Sequence, residues 1–121
     1  MFTSSEPPEA EAAFVKLNGP VGDFDRIQDL VACGYIIRTR ADTPEDMQGR
    51  TGDTMQRDAA IASGAQFVST DYPVPDPDFD SGYQVTIPMG MPARCNPISA
   101  PPGCTSLEVE DPDLLTALLA R

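Results

Sequence analysis

The hydrophobic and polar positions of this chain change period several times, and each change predicts an element. Residues 14–18, FVKLN, are a short, mostly apolar run carrying Lys16 and Asn18. Beyond them Phe24, Ile27, Leu30 and Val31 recur at the spacing of one helical stripe. That helix has clear ends: Asp23 suits the N-cap, Asp25 suits the positive end of the dipole, and Gly34 suits a left-handed C-terminal position. Cys33, near its end, reads as a small buried hydrophobe. Residues 35–40, YIIRTR, then read as a strand of about six residues. Ile36 and Ile37 belong in a core, yet Arg38 and Arg40 follow on the same face as Ile36, an unusual choice for a buried strand.

The charged stretch ADTPEDMQGRTG is expected to be a loop. Asp53 with Gln56 three places later predicts a capping box for the helix TMQRDAAIASG, which Gly64 ends. AQFVSTDY is the next strand. From Pro73 the texture turns to PVPDPDFDSG, a proline-laden exit from regular structure. YQVTIP is expected as one isolated strand, and Asp111–Pro112 should open a last helix carrying Leu114, Leu115, Leu118 and Leu119. At the other terminus, MFTSS is a strand-like start and EPPEAEAA a loop with one helical turn. Strand, helix, strand, helix, strand implies parallel strands joined by crossovers. Three such strands have two open edges and one uncovered face, so the unit calls for a partner or for the rest of a sheet.

Length and charge narrow the picture. At 121 residues the chain holds one domain at most. Its net charge of -11 argues against nucleic acid as a partner and against anionic bilayers. No apolar run approaches the roughly twenty residues of a membrane span. The first residues lack the basic region and apolar core of a signal peptide. There is no histidine. Cys95 and Cys104 enclose RCNPISAPPGC, a segment that cannot fold on hydrophobicity alone. A disulfide closing it would contribute roughly 2.5–3 kcal/mol and would imply an oxidising compartment; two free thiols in a loop are the alternative.

The stretches GYIIRTRADT, GDTMQRDAAIASGAQFVSTDYPVPDPDF, GYQVTIP and ARCNPISAPPGC, in this order, resemble the closing section of the bacterial calcium-dependent phosphoinositide phospholipase C family. The resemblance runs from about Met1 to Cys104 and is closest over residues 34–76. VSTDYP alone is also compatible with a glycerophosphodiester phosphodiesterase. The resemblance implies an α/β fold of the TIM type, an eight-stranded barrel of about 250 residues. Residues 1–80 would be the last three strand–helix units of that barrel, and residues 81–121 a proline-rich, disulfide-stapled tail. It implies a truncated product or one part of a split gene, and a secreted or periplasmic protein. The amino-terminal part of the barrel would then be a partner, alongside a phosphoinositide or other phosphodiester substrate.

In such a barrel alternate strand residues point into the lumen, and sites form at the carboxyl ends. Ile36 would fill an inner layer, with Arg38 and Arg40 rising to the mouth. A guanidinium is a planar fork of donors matched to phosphodiester oxygens. Phe67, Ser69 and Asp71 climb to the same rim, where Asp71 would orient an arginine or accept a hydrogen bond from a sugar-like hydroxyl. Arg38, Arg40, Asp71 and, more weakly, Lys16 are therefore the candidate substrate-binding residues. The competing reading makes Arg38, Arg40, Asp42 and Asp71 a structural ion-pair cluster or a solvated edge. Lys16, a lone lysine in an apolar run, would on that reading only snorkel. Glu45, Asp46 and Asp53 lack the alternating spacing of an EF-hand. The leucine helix, with Arg121 as its only cation, suits packing on a protein surface better than membrane anchoring. Members of the resembled family use histidines as acid and base beside a calcium ion. A chain without histidine has no catalytic residues of that kind, and calcium would be held mostly by ligands outside it. A non-catalytic interaction module is the reading from a different class.

Overall fold

The computed structural model describes residues 13–43, 45, 47–110 and 113. The expected strand-like start, the loop of residues 6–13 up to Ala12, and the leucines at 114–119 lie outside the described residues. Three parallel strands, β1 (Phe14–Lys16), β2 (Ile36–Arg40) and β3 (Phe67–Ser69), form one sheet in the order β1-β2-β3. Helix α1 (Phe24–Ala32) joins the first two, and α2 (Met47–Thr51) and α3 (Met55–Ala62) lie between the second and third. This is the parallel order that the alternation of elements predicts.

Both α1 and α3 pack against β2. Because strand side chains alternate, Ile37, Thr39 and Ala41 point under the helices and are fully buried. The main core joins Val15, Leu17, Ile27, Val31 and Ile37, with Leu30, Tyr35, Ala65 and Ile98 packed on it. Ile27 and Val31 are the buried centre of the α1 stripe. Gly34 has φ 93° and ends that turn, as its freedom from a Cβ allows. Cys33 is exposed, contrary to the expectation of a buried thiol, because it sits one step off the stripe. Ile36 is 43% exposed rather than a core residue, since the sheet face it occupies carries no helix among the described residues.

Other expectations fail for local reasons. The charged loop contains α2, held because Gln48 Oε1 accepts from both Thr43 N and Thr43 Oγ1 at 3.0 Å. The capping box does not form. Asp53 Oδ1 accepts from Met55 N at 2.9 Å, a short turn of its own, while Gln56 Nε2 donates to Arg40 O at 3.3 Å and ties α3 to the end of β2. YQVTIP is not a strand. Tyr83 is buried with its hydroxyl on Ala41 O at 2.9 Å, Val85 N donates to Tyr72 O at 2.9 Å, and a 3-10 turn at Pro88–Gly90 follows. Helix α4 (Ser106–Glu110) begins five residues before the expected Asp111.

The tail returns over the α/β unit. Arg57 Nη1 donates to Gln84 O at 3.1 Å, and the Arg94 guanidinium donates to Ile61 O. Asn96 Nδ2 donates to Gly64 O at 2.7 Å. The expected Cys95–Cys104 disulfide closes the segment that carries Asn96 and Ile98.

Candidate functional site

The register of the strands aligns their side chains in rows. Phe14 pairs with Ile36, Lys16 with Arg38, Arg38 with Phe67, and Arg40 with Ser69. All of these lie on the sheet face opposite α1 and α3. Phe14 opens the amino-end row beside Ile36, and Phe67, in the same row as Lys16 and Arg38, brings its ring centroid within 6.4 Å of it. The rows nearest the carboxyl ends are charged. Lys16 closes β1 and is exposed, Arg38 is central in β2, Arg40 closes β2, and Asp71 lies two residues beyond β3. The four candidates from sequence thus share one end of one face.

They do not form one uniform cluster. Arg40 Nη2 donates to Asp71 Oδ2 at 2.9 Å and to Asp42 Oδ1 at 3.3 Å. Burial works against the Arg40 charge, but the hydrogen bond to Asp42 and the charges of Asp71 and Asp42 outweigh it, so its pKa lies above the ordinary arginine value. Arg38 is placed differently: its Nη1 donates to the neutral Asn18 Oδ1 at 3.3 Å, and its neighbour on β1 is Lys16. Asp71 thus bonds Arg40 while its side chain remains 57% exposed.

Sequence reasoning undervalued three groups. Asp42 entered only as a member of a possible ion-pair cluster, yet its side chain is fully buried and accepts from Thr70 Oγ1, Asp71 N and Arg40. Its signal was faint, because an acidic residue just past a strand usually faces water. Asn18 was noted only as a polar residue in an apolar run, and Thr70 not at all. Thr70 Oγ1 also accepts from Tyr72 N at 2.9 Å, so one hydroxyl joins Asp42 to the turn after β3.

Calcium requires six to eight oxygen ligands. The two carboxylates that approach each other here, Asp42 and Asp71, both hold the Arg40 guanidinium, which occupies the space between them and repels a cation. Among the described residues no three His, Cys, Asp or Glu side chains are grouped to hold a metal ion. These residues do not fit a calcium site. No helix among them is long and apolar enough to cross a membrane.

A family model described as "Phosphoinositide phospholipase C, Ca2+-dependent" matches residues 1–97. No curated protein and no solved structure matches the chain. Four-fifths of the sequence lies under that one model, including all three strands and every residue of the charged end of the sheet, and the chain belongs to the calcium-dependent phosphoinositide phospholipase C family.

Proposed function

We propose that this chain supplies the phosphate- and head-group-binding end of a phosphoric diester hydrolase that acts on phosphoinositide, as part of a TIM-type barrel. The observation that carries the proposal is the convergence of Lys16, Arg38, Arg40 and Asp71 at the carboxyl ends of parallel strands, on the face left bare by the helices. Sites in α/β folds form at that end, and a barrel turns that face inward. Residues 1–80 would be the barrel part and residues 81–121 its tail. Arg38 and Lys16 hold the phosphate, since no carboxylate among the described residues bonds Arg38. The Arg40–Asp71 pair faces the hydroxyls of the head group.

General acid–base work near neutral pH suits histidine, and this sequence contains none. The chain therefore binds and orients, while acid and base come from an amino-terminal barrel part. Calcium, by the same reasoning, is held there. The Cys95–Cys104 disulfide suits an exported protein.

The test joins the chain to an amino-terminal barrel part that supplies the histidines. A charge-assisted contact to a diester is usually worth about 1.5–3 kcal/mol. Arg38→Ala should then lower kcat/KM by roughly ten- to a hundredfold, with partial recovery in Arg38→Lys, whose point charge lacks the fork. Arg26→Ala, on the outer face of α1, should leave it nearly unchanged. Full activity per folded molecule in Arg38→Ala would remove the phosphate role.

A further inference from the structure

The two arginines of β2 are two residues apart on one face, but their electrostatic settings are opposite. Arg38 has a neutral amide as its bonded partner and a lysine as its strand neighbour. Arg40 has two carboxylates on a single Nη2. One positive and two negative charges leave that trio net negative. An anion arriving at Arg40 meets a local field that cancels the attraction of the guanidinium.

We propose that Asp42 is a specificity-determining residue: its buried negative charge converts Arg40 from an anion site into a site for neutral hydroxyls and leaves phosphate to Arg38. The inference rests on the phosphate-site reading above and divides that site in two. Asp42 acts through Arg40 and Asp71 rather than by touching the ligand, so it is a positioning residue with an electrostatic role.

Three observations support it. Asp42 is fully buried, so solvent does not screen its charge as it does that of a surface carboxylate. Its Oδ2 accepts from Thr70 Oγ1 and its Oδ1 from Asp71 N, which fixes it without neutralising it. The Arg40 side chain keeps 20% of its surface exposed beside the 57% exposed Asp71. A polyol suits this arrangement. One hydroxyl donates to the exposed carboxylate of Asp71 while its neighbour accepts from the accessible part of the Arg40 guanidinium. A polyol carries no charge for Asp42 to repel.

The test uses the full chain and two separate probes, inorganic phosphate and myo-inositol, followed by NMR titration with observation of the arginine side-chain signals. Asp42→Asn keeps the shape and retains an acceptor for Asp71 N, but removes one negative charge. It should raise phosphate affinity by a factor of about three to ten and lower myo-inositol affinity by a similar factor. The phosphate gain must disappear when Arg40→Gln is added. A merely structural role for Asp42 predicts that both affinities fall together. Asp71→Asn, at an exposed position, should also raise phosphate affinity, and it decides the matter if Asp42→Asn does not fold. Phosphate binding that is unchanged or weaker in these variants overturns the proposal, as does a gain that survives Arg40→Gln. Failure of the underlying reading looks different: Arg38→Gln would then leave wild-type phosphate binding intact, whatever happens at Arg40.

Discussion

Thr39 shows how much a single side chain in β2 can cost. It is fully buried beneath the helices, and its Oγ1 has no hydrogen-bond partner among the described residues. An unpaired buried hydroxyl costs about 1–3 kcal/mol. Thr39→Val keeps the β-branch and removes the hydroxyl, so it should raise stability by about 1 kcal/mol, seen as a higher urea midpoint at unchanged slope. A lower midpoint would mean that the hydroxyl has a partner. Tyr83 gives the pH dependence. Burial pushes its phenol up to about 12, helped by the negative charge of Asp42, while its hydroxyl donates to Ala41 O. An unfolded tyrosine titrates near pH 10, so the folded state holds the proton more tightly. The stabilisation is complete below about pH 10 and is lost as pH rises towards about 12. Urea midpoints measured across that range should fall in the wild type and fall less steeply in Tyr83→Phe. At this scale the sequence was legible where residue type restricted the choice. Gly34 and the cysteine pair were found, whereas Asp42 was not, because its burial depends on β3 arriving beside β2.

Elements were easier to read than their boundaries. α1 followed from the stripe of Ile27 and Val31, and β2 from its β-branched pair, since each signal is local. YQVTIP carries an equally good strand pattern and forms none. Its hydrogen bonds are scattered rather than laddered: Val85 N donates to Tyr72 O, the Tyr83 hydroxyl donates to Ala41 O, and Gln84 O accepts from Arg57. α2 was hidden because its stability comes from Gln48 bonding back to Thr43 and from Ser81 Oγ donating to Gly49 O, contacts that composition does not reveal. The end of α3 yields a prediction with an internal control. Gly64 has φ 85°, and a Cβ there would collide with Ile98 of the disulfide-closed segment. Gly82 has φ 63° with open space around it. Gly82→Ala should cost about 1–2 kcal/mol for its backbone alone, and Gly64→Ala about 1–3 kcal/mol more for the overpacking. Thermal melts compare them directly; equal losses would mean that Ile98 does not rest on Gly64.

The whole molecule buries one side of its sheet and leaves the other bare among the described residues. Phe67 is 57% exposed and Ile36 43% exposed, beside the charged rows that carry the proposed site. Among the described residues β1 and β3 each have one neighbour, so each presents an unpaired strand edge there. The isolated chain should therefore self-associate with rising concentration, and sedimentation velocity measures this directly. High salt should increase the association, because it screens the mutual repulsion of chains carrying a net charge of -11. A monomer unchanged across concentration and salt would show that the bare face needs no cover. The parallel order was legible from the alternation of elements. The return of the tail over α3 was not, because it depends on arginine-to-carbonyl contacts with no periodic signature.

That return has a consequence for the order of synthesis. The ties from α3 to the tail join residues 27, 33 and 32 positions apart. α3 is thus made about thirty residues before the groups that cover its outer side, an interval of roughly two to six seconds during translation. What waits for those seconds is a mixed surface, Arg57 beside Ile61 and the glycine end of the helix at Gly64. Its polar groups stay hydrated during that delay, and the tail can close over it late.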